Sequence, residues 1–146
     1  MTAPDPGIFG VRLAGVPLLL PPDESIEYLA SAPVYPLPRA GARVLGLVQL
    51  RGHPLVVLDP RERVQAAGSR LRRLAVLAIG APPDAAALVL DCPPEPVRLR
   101  ERLPALDTPS CAFSAALIDA VGDASQPGLA WWRFDVRRLF ESLAGG

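Results

Sequence analysis

The stretch GLVQLRGHPLVVLD, residues 46–59, decides the fold. Two apolar runs of strand length, 44–50 and 55–58, lie on either side of an Arg-Gly pair, and an aspartate ends the second run. Glycine between two such runs predicts a hairpin turn. Because neither run alternates apolar with polar residues, both strands are expected to be covered on two faces. Arg51 at the tip is either a turn residue or a side chain presented to a partner.

Prolines and turn residues predict short strands throughout the chain. The 18 prolines interrupt most windows that could form a helix, which favours short elements joined by turns over a helical bundle. Clusters of small and turn-forming residues predict three further hairpins, with turns at 14–15, 81–84 and 123–128. Segment 22–31 fits either a capped helical turn or a strand. Segment 92–114 is expected to be loop with one short strand near Val97.

The C-terminus carries the clearest helix signal. Asp135 can cap a helix whose apolar residues Val136, Leu139, Phe140 and Leu143 recur at helical spacing. One or two helical turns are also expected at 61–68, and a proline-rich loop at 32–43. The total of eight or nine short strands and one terminal helix predicts an all-β barrel or sandwich. Its 146 residues are expected to form a single domain, 1–146, with two lobes as an option.

Composition excludes most enzyme classes. All 15 basic residues are arginines, and without lysine the chain lacks the P-loop and pyridoxal chemistries that require one. One histidine (His53) and two cysteines (Cys92 and Cys111) do not suffice for an ordinary structural zinc site. We therefore expect no enzymatic activity, no cofactor and no metal. A net charge of zero also argues against nucleic-acid binding, and no apolar segment is long enough for membrane insertion.

Several conspicuous residues have ordinary structural explanations. Three apolar runs end in aspartates, at Asp59, Asp91 and Asp119, as expected where aspartate forms an exit turn. Trp131 and Trp132 are adjacent on a predicted strand and must face opposite ways, so one is expected in the core and the other is a candidate partner contact. The basic segment 69–74 is expected to be a solvated edge or, alternatively, a dock for an acidic surface.

The 46–59 stretch resembles the signature of CheW-like coupling domains, in which a glycine, a few apolar residues, Arg-Gly, an apolar strand and an aspartate follow one another. The resemblance continues through most of the chain, at 11–31, 34–41, 73–80, 87–97 and 128–140. Val56 and Pro60 depart from it, since family members usually carry proline and leucine at these two positions.

The resemblance implies an all-β fold of two small five-stranded SH3-like barrels packed together, with a C-terminal helix. It implies a cytoplasmic adaptor that couples the chemoreceptor cytoplasmic tip to the regulatory domain of a CheA-type histidine kinase. Carried over by position, the partner-binding residues are Glu27, Gly46, Arg51, Gly52 and Asp59. Arg51 and Glu27 belong to the receptor-facing side, and the two glycines shape the backbone beside them. From the hairpin turn, Arg51 can extend its guanidinium across the sheet to Glu27.

Two other functions fit parts of the sequence. Segments 39–43 and 123–128 match the R-x-x-x-R and D-x-S-x-x-G halves of cyclic-di-GMP-binding PilZ barrels, which makes a cyclic-dinucleotide-sensing β-barrel the alternative function. A small barrel that binds single-stranded nucleic acid would need a basic groove and several aromatic residues. An aromatic content of 5% leaves few side chains on which bases could stack, which argues against that role.

Overall fold

The computed structural model describes residues 8–37, 43–61, 70–103 and 106–145. These residues form eleven strands, one 3-10 turn (Ser114–Ala116) and one helix, α1 (Val136–Ala144). The strands are β1 (Phe9–Leu13), β2 (Val16–Leu19), β3 (Ile26–Val34), β4 (Val44–Leu50), β5 (His53–Leu58), β6 (Arg72–Ile79), β7 (Ala86–Val89), β8 (Glu95–Pro96), β9 (Leu99–Leu103), β10 (Leu117–Asp123) and β11 (Ala130–Phe134). No helix in these ranges is long and apolar enough to cross a membrane.

Five strands form the first lobe, in the order β3-β6-β7-β5-β4. The two edge strands meet where Tyr35 and Leu47 exchange backbone hydrogen bonds of 2.8 Å in each direction. This bridge closes the sheet into a small barrel. Alternate residues of its strands, among them Val48, Val57 and Val76, fill the interior and are inaccessible to solvent.

Six strands form the second lobe, in the order β8-β1-β2-β11-β10-β9. Its two edge strands, β8 and β9, belong to one continuous segment that pairs with β1 at one end and with β10 at the other. Between them, the Val97 amide donates to the Ile8 carbonyl at 3.1 Å, and the Val97 side chain is fully buried. Segment 95–103 thus joins the two edges of this sheet.

The two lobes share one apolar core. Leu77 and Leu88 of the first lobe pack in the same cluster as Leu18 and Trp132 of the second. Helix α1 contributes Leu139 and Leu143 to this cluster, and its Asp135 cap accepts a hydrogen bond from the Arg138 amide at 2.9 Å. The prediction of an all-β, CheW-like fold with two packed lobes and a C-terminal helix is confirmed. The first lobe has the five strands expected, whereas the second has six, because segment 95–103 is divided into β8 and β9.

Several local predictions are corrected. Segment 22–31 enters strand β3, and β3 continues to Val34, so the loop predicted at 32–43 was wrong over its first residues. Segment 92–114 contains two strands, one on each side of Val97, where one was expected. The total of eight or nine strands was therefore too low. The helical turns predicted at 61–68 lie outside the described residues except for Arg61.

Both tryptophans are buried. Trp131 and Trp132 do face opposite ways, but each enters a different apolar cluster, so neither is available to a partner and that prediction was wrong. Arg12 lies over the Trp131 ring, 5.5 Å from its centroid. The Trp131 indole nitrogen donates to the buried Asp123 carboxylate at 2.8 Å. The indole is thus enclosed by the fold on its face and its edge.

The three aspartates have different roles. Asp59 forms the expected turn, accepting a hydrogen bond from the Arg61 amide at 3.0 Å. Asp91 accepts one from the Gly15 amide at 2.9 Å and so connects the end of β7 to the turn of the other lobe. Asp119 lies inside β10 and pairs across the sheet with Arg133, which lowers the pKa of Asp119. The exit-turn prediction was wrong for Asp119.

Asp123 makes folding sensitive to acid. Burial alone raises the pKa of Asp123, but hydrogen bonds from Ser125, Trp131 and the Gln126 amide outweigh burial and hold this pKa below the usual aspartate value. A carboxylate with a lowered folded-state pKa stabilises the fold above its unfolded pKa, and this contribution disappears as the pH falls through the folded pKa.

We therefore expect the free energy of unfolding to decrease as the pH is lowered below about 4. Protonation of Asp123 should account for part of this dependence on pH. Asp123→Asn should lower stability at neutral pH and flatten the acid slope. Urea unfolding at several pH values measures both effects. Asp107→Asn is the matched control, because Asp107 is exposed and lies outside this hydrogen-bonded cluster. An unchanged slope in Asp123→Asn would contradict the assignment.

Candidate docking groove

The β4–β5 hairpin turns through two residues with positive φ, Arg51 at +50° and Gly52 at +83°. Hairpin turns of this kind favour asparagine, aspartate or glycine at the first position, because a Cβ is strained there. The β1–β2 hairpin makes a similar turn with Ala14 and Gly15, at +49° and +82°. A turn of this kind therefore does not need an arginine. Arg51 requires another explanation, because its side chain is 79% exposed.

Arg51 extends across the sheet to Glu27 on β3. Its guanidinium lies 3.5 Å from the Glu27 Oε1 atom, as the sequence interpretation anticipated. A pair this long and this exposed contributes at most about 0.2–1 kcal/mol to folding. The second carboxylate oxygen of Glu27 is buried and has no hydrogen-bond partner. The pair is thus a weak internal contact.

An open groove begins at this pair. Its volume is about 510 Å³, and it lies between the hairpin tip and the β6–β7 connection at Gly80 and Ala81. These two residues also line a second groove of about 650 Å³, which reaches helix α1 at Phe140. We call the two together the docking groove. It therefore extends from Arg51 in the first lobe to the helix at the lobe junction.

The lining of the docking groove combines apolar surface with charges of both signs. Ile26 and Phe140 supply apolar contact, while Arg51 and Arg137 are cationic. The acidic residues of the lining are Glu24, Glu27, Asp84 and Glu141. No group of three His, Cys, Asp or Glu side chains that could bind a metal occurs among the described residues. The groove is suited to contact with another protein through packing and ion pairs.

Gly46 lies away from the docking groove, at the closure of the first barrel. A Cβ built on Gly46 would lie within 2.0 Å of the Tyr35 carbonyl oxygen, and the φ of Gly46 is +154°. The strand pairing shifts by one residue at this position. The missing side chain therefore lets β4 approach Tyr35 and close the barrel. Nothing in this geometry exposes Gly46 to a partner.

Asp59 is also remote from the groove, at the opposite end of β5 from Arg51. It is 1% exposed, and its carboxylate accepts hydrogen bonds from the Arg61 amide and from Arg61 Nε at 2.8 Å. Of the five residues assigned by resemblance, Glu27, Arg51 and Gly52 thus lie at the hairpin end of the groove, whereas Gly46 and Asp59 support the barrel. Contacts with a partner remain a prediction for all five.

Sequence reasoning missed the far half of the groove. Phe140 was assigned to the apolar face of the helix from its spacing. Spacing alone could not show that the core covers its side chain only in part. Ala81 was interpreted as part of the turn at 81–84, and Gly80 as the end of the strand before it. Their position beside Arg51 follows from the pairing of β6 with β3, which places Ala78 directly opposite Glu27.

Two β-lobes with a common core, a terminal helix and an open groove define a two-lobed all-β domain. The crystal structure of the scaffolding protein TtCheW from Thermoanaerobacter tengcongensis is similar to it, with a TM-score of 0.63 over 95% of this chain and 94% of that chain. The two sequences are 17% identical, and this likeness establishes a CheW-like fold. No protein-family model matches the sequence, and no curated protein matches it.

Proposed function

We propose that this protein is a non-enzymatic cytoplasmic adaptor that couples chemoreceptors to a CheA-type histidine kinase in a chemosensory array. The observation that carries the proposal is the placement of Arg51. A strained turn position presents an exposed, weakly paired guanidinium at one end of a groove, in a chain whose fold is CheW-like throughout. Strained backbone of this kind is a reason to look for function at the site.

The docking groove suits a helix from a receptor tip. An amphipathic helix places apolar side chains along one face and can pack them against Ile26 and Phe140, with its charged side chains along the rim. Arg51 can then bind a carboxylate of the receptor in place of Glu27. Buried at the centre of an interface, such a contact contributes far more than it does in the free protein, where water screens it.

Coupling requires a second contact, with the regulatory domain of the kinase. An adaptor that binds receptor and kinase at once holds them at high effective concentration without any chemistry of its own. Interfaces of roughly 1,200–2,000 Å² with moderate affinity would suit an array whose components exchange. The choice of receptor and the output, flagellar or pilus-based, depend on partner residues.

The alternative of cyclic-dinucleotide sensing receives no support from the described residues. The Asp123 carboxylate of the D-x-S-x-x-G segment is occupied by Ser125, Gln126 and Trp131 of its own chain. Arg43, the described end of the R-x-x-x-R segment, lies at the start of β4 in the other lobe.

Arg51→Ala tests the proposal. We expect binding of a fluorescently labelled chemoreceptor-tip fragment to weaken by at least about fivefold, because truncating an interface arginine removes a large part of the binding energy. Stability should change little, since a similar turn in β1–β2 contains alanine. Fluorescence anisotropy gives the affinity and thermal unfolding gives the stability.

Arg100→Ala is the matched control, because Arg100 is an exposed arginine on β9 of the other lobe. It should bind the receptor fragment like the unmodified protein. Unchanged binding in Arg51→Ala, or an equal loss in both variants, would show that Arg51 only completes its turn.

A further inference from the structure

A row of apolar side chains crosses the outer face of the first barrel. Tyr35 pairs with Leu47, and Leu47 pairs with Val56, so the three side chains lie side by side on successive strands. Leu71 directly precedes Arg72, whose partner is Val34, which places Leu71 beside Tyr35. We call Leu71, Tyr35, Leu47 and Val56 the apolar row.

The apolar row is not part of any described core. The residues next to its members, such as Val34, Val48 and Val57, point inward and fill the barrel. Tyr35 is 49% exposed, Leu71 51% and Val56 37%, and these are three of the seven large apolar residues exposed in the described ranges. Contiguous apolar surface on a soluble protein commonly marks an interaction site.

Three arginines flank the Leu71 end of the apolar row. Arg70, Arg72 and Arg73 are all exposed, and we call them the arginine cluster. Six other arginines do form ion pairs with carboxylates of the described residues: Arg12, Arg51, Arg61, Arg102, Arg133 and Arg137. Within the described ranges, the arginine cluster forms none. Its one hydrogen bond runs from Arg73 to the Ser31 carbonyl, at 3.2 Å.

We propose that the apolar row and the arginine cluster bind an acidic amphipathic helix of a partner protein. Neighbouring strands are about 4.8 Å apart and one helical turn rises about 5.4 Å, so a helix lying across the strands brings an apolar side chain to each member of the row in turn. Carboxylates at one end of that helix then meet the unpaired guanidiniums, which bind carboxylates through two parallel hydrogen bonds.

This surface is separate from the docking groove. None of its residues lines the groove, and the row lies on the face of the barrel that the second lobe leaves uncovered. The inference does not depend on the proposed function, because it rests on strand register, exposure and charge alone. An adaptor that uses both surfaces could hold two different protein segments on one barrel.

The test uses the full chain and a synthetic fluorescein-labelled helical peptide with leucines at i, i+4 and i+7 and glutamates around them. We expect saturable one-to-one binding by fluorescence anisotropy, which weakens as salt is added. The double variant Arg72→Glu/Arg73→Glu and the single variant Tyr35→Ser should each bind at least about tenfold more weakly. Circular dichroism should show both variants folded.

Two variants in the second lobe serve as controls. Ile118→Ser removes an exposed apolar side chain (56% exposed), and Arg100→Glu reverses an exposed charge, both away from the row. They should bind the peptide like the unmodified protein, and a peptide with lysines in place of the glutamates should not bind.

Three results would overturn the proposal. The first is absence of saturable binding, and the second is an equal loss of binding in the control variants. The third is a dimer, seen by sedimentation equilibrium, that Tyr35→Ser abolishes, because the row would then be covered by a second copy of this chain.

Discussion

Replacing Gly46 with alanine is expected to lower the free energy of unfolding by about 3 kcal/mol. The new Cβ would lie 2.0 Å from the Tyr35 carbonyl oxygen, a backbone atom that cannot rotate away. To relieve this contact, β4 must move from Tyr35, which breaks the two hydrogen bonds between Tyr35 and Leu47 that close the barrel. The positive φ of Gly46 adds strain for any residue with a side chain.

Urea unfolding followed by circular dichroism measures this effect. Gly52→Ala is the matched control on the same hairpin, because Gly52 also has a positive φ but a Cβ there would meet nothing within 4 Å. The control should lose only about 1 kcal/mol, the cost of backbone strain without a steric clash. Equal losses in the two variants would show that the close approach to Tyr35 contributes nothing.

Trp131→Ala is expected to destabilise the protein by about 3–5 kcal/mol. The indole is fully buried between Leu19 and Val97, and it passes so close to Gly10 that a Cβ there would lie 2.3 Å from the ring. Truncation leaves a cavity and also removes the indole donor from the buried Asp123 carboxylate. For a domain of this size, such a loss is a large part of the total stability.

Trp131→Phe separates the two contributions. Phenylalanine fills much of the cavity but cannot donate to Asp123, so it should cost about 1–3 kcal/mol, the penalty for one lost hydrogen bond to a buried charged group. Circular dichroism is the suitable readout, because the substitution itself alters fluorescence. A loss below about 1 kcal/mol in Trp131→Ala would contradict the assignment of this side chain to the second lobe's core.

Much of the fold could be predicted because its hairpins are locally encoded. The turns at 14–15, 51–52, 81–84 and 123–128 all separate apolar runs. Each of them joins two strands that pair antiparallel in the same sheet. The terminal helix also begins and ends where its cap and its spacing indicate. Such elements can be predicted from neighbouring residues alone, without any knowledge of tertiary contacts.

The remaining features depend on contacts that are distant in sequence. One of Trp131 and Trp132 was expected at the surface, but their strand lies between β2 and β10 and both side chains are buried. Segment 95–103 has five charged residues and a proline, yet it forms strands because it joins two sheet edges. Neither outcome follows from a window of neighbouring residues.

The candidate site was predicted only in part, because it too depends on contacts between residues that are distant in sequence. The pairing of Arg51 with Glu27 could be anticipated, because an arginine at a hairpin turn can reach across the sheet. The resemblance could not separate exposed residues from those that support the barrel, and so it grouped Gly46 and Asp59 with Arg51. Exposure makes the distinction, since Arg51 is largely exposed while Asp59 is buried and fully engaged with Arg61.

The most direct test of the adaptor role is co-sedimentation of a CheA-type kinase with receptor-containing membranes, in the presence and absence of this protein. We predict that the kinase sediments with the membranes only when the protein is present, and that Arg51→Ala reduces the sedimented fraction while Arg100→Ala does not. A kinase that sediments equally well without the protein, or that stays in solution with it, would contradict a coupling function.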